Sequence, residues 1–152
     1  MNKPRKSAET LHESGLTLVE LTIVIMTIGI LAAFTAPQLR GLINSYQLSG
    51  AAKLVWVDLH RARMIAIKEN GTIRVDFTST SYAVVRVTTG AVIFSRNLSS
   101  NYPSVTIGIT GNSVTFGSTG TVPPPSKTIQ VQGLSHRKSF TILATGRIGN
   151  IS

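Results

Sequence analysis

Apolar residues fall along this chain in three successive patterns. From Leu16 to Ala36 the sequence reads LTLVELTIVIMTIGILAAFTA, an apolar run with one charge in it, Glu20. About 21 residues at ~1.5 Å each make about 30 Å of helix, enough to cross the hydrocarbon core of a bilayer. Further on, Leu48, Ala52, Val55, Leu59, Ala62 and Ala66 recur at alternating steps of four and three. That stripe is the mark of a helix burying one face against a sheet. Lys53, Arg61 and Lys68 share another face, and Asn70 followed by Gly71 supplies a helix stop. Pro37 lies inside the long helical stretch, where its ring removes a hydrogen bond, so a bend or local break is expected there.

From Thr72 the period drops to two. The segments TIRVDFT, SYAVVRV, AVIFS, SVTIGIT, SVTFG, TIQVQ and SFTILA are short, β-branched and alternating, with Gly, Ser and Asn turns between them. They predict an antiparallel sheet or small β-sandwich packed on the helix, and the proline-rich GSTGTVPPPSK is a stiff connection. The expected fold class is α+β. Residues 16–36 form a transmembrane helix, 37–71 an amphipathic helix and 72–152 a β-rich exported domain.

Composition and charge sharpen this. With 152 residues, 42% of them hydrophobic, the chain fits one domain plus membrane-embedded material. It has no cysteine, which excludes a disulfide framework, a thiol nucleophile and a thiolate metal site. A net charge of +9 points to anionic partners: nucleic acid, lipid headgroups or acidic neighbouring subunits. No acidic residue follows Asp76, whereas Arg86, Arg96, Lys127, Arg137, Lys138 and Arg147 do, so the last half is expected to carry a diffuse positive field.

The opening MNKPRKSAETLHESG is polar and basic, as expected of a leader at residues 1–15. Basic residues before the apolar span put the N-terminus in the cytoplasm and the later domain outside, as a single-pass inner-membrane protein. A conventional secretory signal fits poorly. The apolar run exceeds the usual ~7 to 15 residues of such a core. A cut after Ala36 would leave Pro37 next to the scissile bond and bulky Phe34 where a small side chain is wanted. Glu20 requires a reason, because an ionisable group in hydrocarbon is costly and normally has a partner. Cleavage after Gly15 would create one, the new amino group of Leu16 on a neighbouring helix.

The string Gly15-LTLVE, the apolar run and Pro37 together resemble the class III signal of type IV prepilins and type II secretion pseudopilins. The resemblance implies cleavage by prepilin peptidase between Gly15 and Leu16, N-methylation of Leu16, an assembly role for Glu20 and a helix kink at Pro37. Two positions depart from the usual pattern: Leu16, where phenylalanine is commoner, and Ser14, where a basic residue often stands. The run DLHRARMIAIKENGTIRVDF, with Arg61, Ala62, Arg63 and Ala66, and the terminal FTILATGRIGNIS are similar to the GspH/FimT branch of minor pilins. That implies a pilin fold and a structural subunit that helps initiate or cap a filament. Its partners would be other pilins or pseudopilins, bound through the N-terminal helix, and no cofactor is implied.

Some members of this branch bind DNA through a Gly-Arg-x-Arg ending. Gly146 and Arg147 match it, but Gly149 stands where the second arginine would be. A DNA-binding minor pilin is therefore the alternative reading, with Arg147, Arg137 and Lys138 as the candidate anion contacts. Catalytic patterns are missing: His12, His60 and His136 are scattered, and no nucleophile elbow, P-loop or dinucleotide glycine motif occurs. The acids of the exported part are Asp58, Glu69 and Asp76, two of them expected on or beside the helix as solvated charges.

Intact-mass analysis of the membrane-extracted protein should find a chain beginning at Leu16, carrying one methyl group. A chain beginning at Met1 or near Pro37 would contradict the prepilin-type signal.

Overall fold

The computed structural model describes residues 17–152, and for residues 35–37 it describes the backbone alone. The described residues fall into two compact units, 17–39 and Arg40–Ser152. The helix α1, Leu18–Lys68, contributes to both, and its backbone is helical at Pro37, so the break that a proline permits is not taken there.

In the first unit α1 begins with a local cap. The Glu20 amide donates to the Thr17 hydroxyl at 3.2 Å, which satisfies one of the amides left open at any helix start. The side chains that follow are apolar and exposed, among them Leu18, Ile23, Ile25, Met26, Leu31 and Phe34. The few hydroxyls turn back on the backbone, Thr22 donating to the Val19 carbonyl at 2.7 Å and Thr27 to that of Ile23 at 2.8 Å. Polar atoms satisfied in this way are compatible with hydrocarbon. By length and composition α1 can cross a membrane.

In the second unit the remainder of α1 buries one face. Leu48, Ala51, Ala52, Val55, Leu59, Ala62 and Ala66 are all buried, which includes every position of the predicted stripe. The helix ends where Asn70 takes a left-handed φ of 47°, its amide donating to Ile67 O and that of Gly71 to Ala66 O. This double bond satisfies the last carbonyls, as the Asn-Gly pair predicts.

Seven strands follow: β1 Ile73–Phe77, β2 Ser81–Arg86, β3 Val92–Asn97, β4 Thr106–Ile109, β5 Ser113–Phe116, β6 Lys127–Gln132 and β7 Arg137–Ile142. They form two antiparallel sheets, one in the order β3-β2-β1-β5 and one in the order β4-β6-β7. Alternation decides which residues face inward: Ile73, Val75 and Phe77 of β1 are buried and Arg74 is exposed. Residues from both sheets and from α1 share a single hydrophobic core. After β7 the chain turns back along it, with Ile142 bridging Ile148 and Ser139 exchanging two backbone bonds with Ser152. The tail thus occupies an edge that would otherwise be open to pairing with another chain.

One polar group breaks the apolar pattern of the core. Asp58, expected as a solvated charge, is 3% exposed. Its Oδ2 accepts from the Tyr82 hydroxyl at 2.6 Å and from Arg96 Nε at 2.8 Å, so α1 is bonded to β2 and β3 through one carboxylate oxygen. Burial, and then the Asp58 carboxylate beside it, push the Tyr82 hydroxyl well above the ordinary tyrosine range. Tyr82 therefore stays a neutral donor at any physiological pH. The helix's solvated acid is instead Glu69, just past its end, which holds Arg86 through two bonds of 2.9 Å.

Arg96→Met should leave the Asp58 carboxylate with Tyr82 alone. A broken buried pair costs ~3 to 5 kcal/mol. Here about 2 kcal/mol is expected, because the Arg96 side chain is 43% exposed and solvent screens the pair. Chemical denaturation of the variant should show that loss, and Arg86→Met at the exposed pair should lose markedly less.

Candidate assembly and anion-contact sites

The residues singled out from the sequence fall into two groups that the fold keeps on separate elements. Gly15 and Leu16, the expected processing pair, lie outside the described residues. Glu20 stands in the first turn of α1 and is exposed. The pattern Thr17-x-x-Glu20 is a helix-start signature present in the sequence, and the Thr17 cap is the part of it that forms. Glu20 thus occupies a place where a negative charge also favours the helix N-terminus.

The second group lies on β7 and the tail. Arg137 and Lys138 are adjacent at the start of β7. Arg147 sits in the turn beyond its other end, with Leu143 N donating to Arg147 O at 2.9 Å. From Lys138 to the residue facing Arg147 is five positions, about 16 Å of strand. Arg147 therefore stands apart from the Arg137 and Lys138 pair. Two of the six cations expected to make a diffuse field are also neutralised, Arg86 by Glu69 and Arg96 by Asp58.

Gly146 has an architectural role. Its φ is +76°, and a Cβ placed on it would overlap the carbonyl oxygen of Gly120 and approach Arg63 Nε. Gly120, itself at φ +74°, receives the Arg63 Nε hydrogen bond on that same oxygen at 3.0 Å. The Arg-Ala-Arg segment of α1, the loop before β6 and the Gly-Arg turn after β7 meet at this point. Nothing in the spacing of Gly120 announces the contact.

Lower on the helix, Trp56 Nε1 donates to Gly149 O at 3.0 Å, and the Trp56 ring packs on His60 with centroids 4.1 Å apart. Arg61 lies over the ring of Phe94 on β3, 4.7 Å from its centroid. His60, one of the scattered histidines, is thus half of an aromatic pair. Lys53, Trp56 and Ser49 of α1, with Lys138, Asn150 and Ile151, line a cleft of about 390 Å³.

A long N-terminal helix with an exposed apolar first part and a buried second part, on antiparallel sheets, defines a pilin-like α+β protein. Two crystal forms of FimU, a type IV minor pilin of Pseudomonas aeruginosa PAO1, share this fold with a TM-score of 0.58 in both cases. Their sequence identity to this chain is 19% and 18%, over 66% and 68% of this chain and 85% and 91% of theirs. The model of the family described as Type II transport protein GspH matches residues 51–146, and the chain belongs to that family. Among curated proteins no relative matches it.

Gly146→Ala should destabilise the second unit by at least about 2 kcal/mol, since a positive φ and the overlap with Gly120 act together. Arg147→Ala should leave stability almost unchanged. Thermal unfolding of the two variants side by side checks this, and equal melting temperatures would show that the turn tolerates a side chain.

Proposed function

We propose that the chain is a minor pseudopilin or minor pilin, a structural subunit that helps initiate or cap a type II secretion pseudopilus or type IV pilus. The observation that carries the reading is the first part of α1: apolar side chains exposed all round it, a single acid in the first turn, and a GspH-family domain after it. Such a surface must be covered by lipid before assembly and by neighbouring helices after it. In this reading prepilin peptidase removes residues 1–15 in the inner membrane, and the exported domain lies on the periplasmic side. Glu20 then neutralises the amino group of Leu16 on a neighbouring subunit, and Pro37 marks where the helix leaves the membrane.

The alternative, a DNA-binding subunit, rests on fewer groups than the sequence suggests. Of the late cations, Arg86 and Arg96 are already paired, and Arg147 is separated from Arg137 and Lys138. Phosphate binding draws its strength from several contacts made at once.

Glu20→Gln separates charge from helix start, because glutamine also serves at that capping position. The variant should insert into the membrane normally. Its recovery in filaments should drop about tenfold or more, since the partner amino group is left uncompensated in an apolar setting. Glu20→Ala should behave alike. Filament incorporation of both at the parental level would overturn the pairing.

A further inference from the structure

Lys53 and Lys138 set the character of the cleft between α1 and the C-terminal tail. Among the described residues neither has a carboxylate partner, whereas Arg74, Arg86 and Arg96 all do. The Trp56 side chain and Ile151, both packed against the core, line the same cleft, with Ser49 and Asn150 completing the lining. The walls are fixed. Trp56 is held by its bond to Gly149 O, Gly149 N donates to Thr141 O, and Ser152 is tied to Ser139.

We propose that this cleft docks an acidic segment of a different protein subunit, one that presents a large apolar side chain beside a carboxylate. The proposal rests on the filament-subunit reading and names a partner surface for it. The volume of about 390 Å³ suits one or two side chains, and the two unpaired lysines at an apolar floor are complementary to such a segment.

A second copy of this chain is a poor occupant. Every acid of the exported unit is engaged: Asp58 is buried with Tyr82 and Arg96, Glu69 holds Arg86, and Asp76 holds Arg74 at 2.8 Å. Two such domains, in a chain of net charge +9, repel each other and offer no free carboxylate side chain in return. Nucleic acid fits less well than peptide. Arg147, the cation of the DNA-type ending, is not among the residues that line the cleft, and Trp56 and Ile151 give the lining an apolar part that a phosphate chain does not use.

The chain has one tryptophan, Trp56, so its emission reports directly on the cleft. The full chain in detergent micelles is titrated with the capped peptide Gly-Glu-Leu-Phe-Glu-Gly. The same titration is made with the peptide in which both glutamates are glutamines, and with a single-stranded oligothymidine of equal length. The glutamate peptide should change the emission saturably, and the glutamine peptide should bind at least fivefold more weakly. The double variant Lys53→Gln, Lys138→Gln should bind the glutamate peptide roughly five- to tenfold more weakly with an unchanged melting temperature, and added salt should produce the same loss. Arg137→Gln, outside the lining, should change little. Absence of a saturable response, equal binding of the two peptides, or tighter binding of oligothymidine would overturn the proposal. The Glu20→Gln filament assay is independent of this titration: if it fails to assemble while the peptide does not bind, the subunit reading survives and the cleft assignment does not.

Discussion

The packing of two β-sheets on one side of α1 is the constraint on which the second unit depends. Ala51, Ala52, Ala62 and Ala66 have no exposed surface and, with Leu48, Val55 and Leu59, make up the helix face that enters the core shared with both sheets. Between them Val55 and Leu59 fill the core, each worth about 1.5 to 3 kcal/mol of burial. Polar clamps then fix the helix in register. Asp58 reaches Tyr82 and Arg96, Arg61 covers Phe94, Arg63 reaches Gly120, and Trp56 reaches Gly149. Together they join the helix to β2, β3, the loop before β6 and the C-terminal tail, so the helix cannot slide without breaking several at once.

These clamps also change the meaning of the chain's positive charge. A basic sequence suggests a field, yet much of this charge is local and structural: arginines on α1, β2 and β3 spend their guanidinium groups on carbonyls, rings and carboxylates inside the domain. Arg40, Lys53, Lys68, Lys127, Arg137, Lys138 and Arg147 make no salt bridge among the described residues, and of these Lys53 and Lys138 share a cleft. Charge in this domain therefore speaks first about cohesion and only then about partners.

Periodicity made most of the fold legible. The stripe from Leu48 to Ala66 is the buried face, and the Asn70-Gly71 stop works through a left-handed Asn70. The strand segments coincide with β1 to β7 to within one or two residues at most ends, because inward and outward residues alternate on them. What stayed hidden are contacts between distant residues. Asp58 reads as a solvated charge because its side chain is ionisable, although its position one turn from Leu54 and Ala62 already puts it beside the buried stripe, and only the folded chain brings Tyr82 and Arg96 to it. Gly120 and the tail contact of Trp56 leave no local pattern either. Thr17 is the exception: its cap was readable from Thr-x-x-Glu, but the apolar run after it dominates the eye.

The first part of α1 differs from the second in having no cover among the described residues, and in the proposed reading sister helices supply it. The claim can be tested directly by placing a photoreactive benzophenone side chain at Met26, 72% exposed, and irradiating cells that express the secretion or pilus machinery. The account predicts covalent adducts between this chain and other subunits with a methylated N-terminus, formed only when the filament assembles. Adducts confined to lipid, or identical with and without the filament machinery, would contradict it.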